Sequence, residues 1–279
     1  MLGVERFPVD VASLAKEYSA QRFPNDPVIS VMGDNLPGFE GGLFRAPAGR
    51  KGWGIIYNSS ISSVGRINFT LAHEFGHFLL HRLAYPDGIR CGQQDVVRDS
   101  ECAQVEQQAN VFAANLLMPL DDFRCQIQPK AKADFDMITH CAERYKVSLT
   151  AAALRWISFT ERRAVLVVSR DGFILWSKPS ASALKTRAFF RASQGPVEIP
   201  AASLPMRPEL LVDGRGEIDH DEGVWFNEPL REMAIFAEQY DFAISLLLLE
   251  DAPPFKPWDV EPEEDTLDGI APPSTRRKW

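Results

Sequence analysis

The chain has 279 residues, of which 45% are apolar, and a formal net charge of −8. That length suits one large domain or two ordinary ones, and the apolar content excludes a wholly disordered chain. The acidic balance excludes a surface that coats nucleic acid throughout, but it leaves room for a local basic patch.

The opening segment MLGVERFPVDVASLAKEYS has no basic start leading into an apolar core, so it does not read as a signal peptide. Asp10 is placed to cap a helix carrying Val11, Leu14, Ala15 and Tyr18 on one face. Short β-like runs follow at Val28–Met32, Gly42–Arg45 and Trp53–Tyr57, separated by Gly and Pro. A helix is predicted from about Val64 to Arg82, with Ile67, Leu71, Phe75, Phe78 and Leu79 as the stripe of a half-buried element. A polar loop with Pro86, Asp87 and Gly88 leads to a second helix, Ala103 to Met118, which Pro119 ends and after which it can start the next. Further helices are expected at Phe135–Tyr145 and, capped by Ser148, at Leu149–Ile157.

Near residue 159 the texture changes. Ala164–Ser169 and Phe173–Ser177 are β-rich and flank Asp171-Gly172, a strong hairpin signal. A second strand pair is expected at Met233–Ala237 and Phe242–Leu249. The longest apolar stretch, Ile244 to Leu249, is too short to span a bilayer. From Asp251 onward, Pro and acidic residues indicate a loose tail. The reading is therefore α+β: a helical domain with short strands over 1–158, a mixed α/β domain over 159–250, and an acidic Pro-rich tail over 251–279. The four cysteines (Cys91, Cys102, Cys125, Cys141) include no CxxC and form no disulfide framework, which fits a reducing cytoplasm.

The segment that carries chemistry is His73-Glu74-Phe75-Gly76-His77, an HExxH sequence within the predicted helix. Four residues make just over one turn, so both imidazoles leave one face about 6 Å apart along the axis, within reach of a single Zn²⁺. Glu74 stands beside them as a general base, and a carboxylate suffices because zinc lowers the pKa of a coordinated water to about 7. A third ligand is needed. His81 lies roughly 12 Å from His73 on a straight helix, too far to share the ion with it. A metzincin pattern needs Gly at 80 and His at 83, where the chain has Leu80 and Leu83. Glu106 on the second helix is the better choice. Asn110, one turn later on the same face, can orient a ligand histidine. His81 reads as a surface residue or a supporting one.

HExxH also occurs by chance on amphipathic helices. Here both histidines stand off the apolar stripe and a second helix supplies a carboxylate. Gly76 sits mid-helix at a cost of about 1 kcal/mol relative to Ala, as a close backbone approach would require. The His₂Glu set suits zinc, although manganese or iron could occupy it.

LAHEFGHFLLH, followed by EQQANVFAANLLMP from Glu106 to Pro119, resembles the ImmA/IrrE family of zinc metallopeptidases. The family's second motif, ExxA(N/D)xFAxxLLMP, is matched at every fixed position, and the resemblance covers roughly residues 8–157. It implies a zincin-like fold with His73, His77 and Glu106 as ligands. It also implies a regulatory endopeptidase that cuts a partner helix-turn-helix transcriptional repressor, releasing genes for DNA-damage responses, mobile-element transfer or phage defence. No DNA-binding helix pair is read in this chain, so the repressor is expected to be a separate protein. Some members carry a GAF-like sensor domain after the peptidase, with which 159–250 is compatible. The alternative is a non-enzymatic metal-binding regulator that sequesters the repressor; a retained Glu74 favours the enzyme. Tyr57 and His140 are chemically suited to steady an oxyanion, and the Trp53–Tyr57 strand is a candidate to pair with extended substrate.

Two regulatory features stand out. Arg90-Cys91-Gly92 resembles the core of the matrix metalloproteinase cysteine switch, so Cys91 is a candidate inhibitory thiolate on the zinc, with Cys102 its rival. From Glu161 to Arg191 seven basic residues face two acidic ones. Lys178, Lys185, Arg187 and Arg191, interleaved with Phe189 and Phe190, are candidate contacts to single-stranded DNA as an activating signal. A solvated face over core phenylalanines explains the same pattern.

Overall fold

The computed structural model describes residues 6–35, 38–91, 100–192, 195–237 and 242–253. Helix α1 (Val11–Arg22) starts as expected at Asp10, whose carboxylate accepts from the Ser13 amide at 3.0 Å. Strands β1 (Val28–Asp34), β2 (Gly41–Arg45), β3 (Trp53–Asn58) and β4 (Gly88–Cys91) form one sheet in the order β1-β3-β2-β4. β1 runs parallel to β3, whereas β2 is antiparallel to both β3 and β4. Between β3 and β4 lies α2 (Val64–Leu80), whose N-cap Ser63 accepts from the Arg66 amide.

Helices α3 (Ser100–Leu117), α4 (Leu120–Gln126), α5 (Phe135–Tyr145) and α6 (Leu149–Ile157) follow. Pro119 ends α3 and stands at the N-cap of α4, and Ser148 caps α6. Helices give way to strands after Ser158. A second sheet of β5 (Arg163–Arg170), β6 (Phe173–Pro179), β7 (Arg215–His220), β8 (Leu230–Ala237) and β9 (Phe242–Leu249) is antiparallel throughout, in the order β6-β5-β9-β8-β7. Helix α7 (Ala181–Lys185) packs on β5 and β6.

Ala164, Leu166 and Val168 of β5, with Ile244 and Leu246 of β9, enter the same apolar core as α2, α5 and α6. Val165, Val167, Leu247 and Leu249 point the other way, onto Ile199, Trp225 and Leu230. Both faces of these strands are covered, which is why they read as unbroken apolar runs rather than alternating ones. Trp53, Phe78, Tyr145 and Trp156 are wholly buried in the first core; burying a large apolar side chain of this kind contributes about 1.5–3 kcal/mol.

Two expectations need correction. α2 is not half-buried: every residue from Thr70 to Phe78 is buried, because α3 lies across the face that carries the histidines. And β3 cannot pair with a substrate strand, because β1 and β2 already take both of its edges. Most of the expected acidic tail, from residue 254 onward, lies outside the described residues.

Candidate metal centre

α2 and α3 together make the site. On α2, His73 and His77 are one turn apart, and their Nε2 atoms approach to 2.9 Å. α3 brings the Glu106 carboxylate to them, with Oε2 3.2 Å from His73 Nε2 and Oε1 3.4 Å from His77 Nε2. Donor atoms of the three residues all lie within 4.8 Å of one another, the one such His/Cys/Asp/Glu group among the described residues. The helices come this close because small residues line their contact. Ala109 and Ala113 are fully buried on α3, and a Cβ on Gly76 would meet Phe112 Cδ1 at 3.0 Å. The glycine that looked costly in a helix interior is therefore explained by packing.

The outer ring nitrogens are also held. His73 Nδ1 is 3.0 Å from Asn110 Oδ1, an oxygen that can only accept, so Nδ1 carries a hydrogen and Nε2 is the atom left to bind a cation once it gives up its own proton. His77 Nδ1 is 3.0 Å from His81 Nδ1, and His81 Nε2 is 2.9 Å from Gln108 Oε1. His81 is buried, so it is not a surface residue, and it stands outside the three-residue group. Nothing in the sequence signalled Gln108, because only the crossing of the two helices brings it to His81.

The charges fit a cation site. Burial pulls the His73 pKa down, but the hydrogen bond that the protonated ring donates to Glu106 and the charges of Glu74 and Glu106 outweigh it, so the value is raised. For His77 burial prevails, helped by neighbouring His73 and His81, and the pKa is lowered. Burial pushes Glu106 up, yet hydrogen bonds and charge from both histidines hold its carboxyl far below the usual range. Two neutral-capable rings and one firmly ionised carboxylate form a His₂Glu donor set that suits a divalent cation such as zinc.

Glu74 is wholly buried beside this group, against β2. A Cβ on Gly41 would overlap Thr70 Cγ2 and lie 3.1 Å from Glu74 Oε1, so only glycine lets β2 pass here. No spacing along the chain signals this contact. From Thr70 and Asn110 a groove of about 640 Å³ extends past Val111, Ala114 and Leu154 to Arg155 and Lys178.

None of the other expected residues whose side chains are described belongs to this group. Cys91 ends β4 opposite Gly41, while its side chain and Gly92 lie outside the described residues. Lys178 is exposed on β6, Lys185 ends α7, and Arg191 stacks on Phe189 at 5.5 Å. Arg187 occupies a left-handed backbone conformation with φ 60°. Phe190 stacks on Phe226 at 4.8 Å and packs against the second core, whereas Phe189 joins neither core, so the simpler explanation of that run holds for one of its two phenylalanines. The Tyr57 ring lies over Gly33 in β1.

Residues 26–156 match the family of IrrE N-terminal-like domains, Peptidase_M78. No curated protein matches the chain.

Proposed function

With residues 26–156 belonging to the IrrE N-terminal-like peptidase family, we propose that the chain is a regulatory zinc endopeptidase whose substrate is a separate helix-turn-helix repressor. The observation that carries this reading is the convergence of His73, His77 and Glu106 next to a buried Glu74. His73 Nε2, His77 Nε2 and the Glu106 carboxylate would hold the ion, which supplies Lewis acidity to polarise the scissile carbonyl and water. Asn110 keeps the His73 lone pair directed at it. Glu74, fixed between α2 and β2, takes the proton from the attacking water and passes it to the leaving amine. A site that only sequestered a repressor would have no use for that base.

The groove beginning at Thr70 and Asn110 suits an extended, largely apolar stretch of substrate. The outer edge of β4, which pairs with no strand among the described residues, is where a substrate strand could pair, rather than β3. In this reading the second sheet belongs to a GAF-like sensor unit over 159–250, with single-stranded DNA a candidate signal at Lys178, Lys185, Arg187 and Arg191. Cys91 is a candidate cap on the ion, which a more active Cys91→Ala variant would support and an unchanged one would refute.

The test is intact-mass spectrometry of the helix-turn-helix protein encoded beside this chain, co-expressed with wild type or Glu74→Gln. Discrete fragments with wild type alone support a site-specific protease. An intact partner that co-purifies with both supports sequestration instead.

A further inference from the structure

The second nitrogen of His77 has an unusual neighbour. Two imidazole Nδ1 atoms face each other at 3.0 Å, in a place where His77 is wholly buried and His81 is 6% exposed. One nitrogen must carry a hydrogen and the other a lone pair. The choice is set from outside. Gln108 Oε1, 2.9 Å from His81 Nε2, accepts only, so His81 carries its hydrogen on Nε2 and offers a lone pair at Nδ1. His77 then donates from Nδ1, so in the neutral ring the lone pair belongs to Nε2, the atom that faces His73 and Glu106. With the chain reversed, His77 would point a hydrogen into the cluster and could not serve as a ligand.

We propose that His81 is a positioning residue for the metal centre: anchored by Gln108, it selects the His77 tautomer and fixes that ring's orientation. The inference rests on the metal-centre reading above. His81 is held for this role by its own backbone, whose N–H still bonds the His77 carbonyl at 2.8 Å at the end of α2. The two ligand histidines thus receive equivalent support from different partners on one helix, Asn110 directly and Gln108 through a second imidazole. α3 delivers the carboxylate ligand and also orients both rings. Hydrogen bonds of this kind to a ligand histidine typically alter metal affinity by about ten- to a hundredfold.

The readout is zinc affinity, measured by competition with a chromophoric chelator, together with the absorption spectrum of the cobalt-substituted protein. Neither depends on proteolysis. His81→Leu removes the acceptor and is expected to weaken zinc binding about ten- to a hundredfold, with an altered cobalt spectrum. His81→Gln, whose amide oxygen can accept from His77, is expected to recover most of that loss. Should the Leu variant not fold, Gln108→Leu against Gln108→Glu poses the same question from the other end, since a carboxylate still accepts the His81 proton. Equal affinity in wild type and His81→Leu would overturn the proposal, as would equal losses in the Leu and Gln variants. A wild-type chain that bound no zinc would overturn the metal centre and this inference together. Normal zinc binding without cleavage would overturn only the protease reading.

Discussion

Gly41 on β2 and Glu74 on α2 lie so close that a Cβ at position 41 would stand 3.1 Å from the Glu74 Oε1. The same Cβ would overlap the γ-methyl of Thr70, a branched side chain with little freedom on a helix. Gly41→Ala should therefore cost about 1–3 kcal/mol as overpacking and should also displace the base. Adding Thr70→Ser removes the overlapping methyl. The double variant is expected to recover most of the thermal stability but not the peptidase rate, because the crowding against Glu74 remains. Melting curves and cleavage rates on the two variants check both halves.

Gly76 makes a different prediction. Alanine in a helix interior gains about 1 kcal/mol over glycine, while its methyl would press on Phe112 at 3.0 Å. The two effects should nearly cancel in melting temperature. The pressure falls on α3, which holds Glu106 and Asn110, so Gly76→Ala should weaken zinc binding with little loss of fold. A variant with lower stability and unchanged zinc affinity would contradict this.

Zinc uptake should fall as the solution is acidified, and the first proton to compete is that on His73. Its pKa is raised above the ordinary 6.5, that of His77 is lowered, and Glu106 stays ionised well below 4.5. A ligand ring must lose its proton to bind. Affinity should therefore already decline above pH 6.5 as pH drops, by about tenfold per pH unit for each proton displaced. Chelator competition between about pH 8 and about pH 5.5 follows this, and a flat profile would contradict it.

Cys141 is fully buried in α5, and burial pushes its thiol up to about 11. Cys125 is exposed on α4. Alkylation of the native protein at about pH 8 should label Cys125 and spare Cys141, since only thiolates react readily. Peptide mass spectrometry distinguishes them.

The helices and the metal cluster were legible because their signals are local. A capping Asp10 or Ser148 sits at its helix start, and HExxH declares a shared face within one turn. β7 was missed because Arg-Gly-Glu-Ile-Asp-His is an edge strand with a mostly solvated face and no apolar alternation. β4 is four residues long and reads as part of a polar loop. The central position of β3 depends on strand order, which spacing along the chain does not encode. The full burial of α2, the reach of Gln108 to His81, and the need for glycine at 41 all arise where distant segments cross. For the same reason the family resemblance supplied Glu106 readily but said nothing of Gly41.

Metal stoichiometry by native mass spectrometry on wild type, Glu106→Ala and Glu74→Gln shows whether the cluster holds a cation. One zinc ion per chain is expected in wild type and in Glu74→Gln, with the ion lost or much weakened in Glu106→Ala. Zinc retained equally by Glu106→Ala would contradict it, because the carboxylate that α3 carries to His73 and His77 would then not be a ligand.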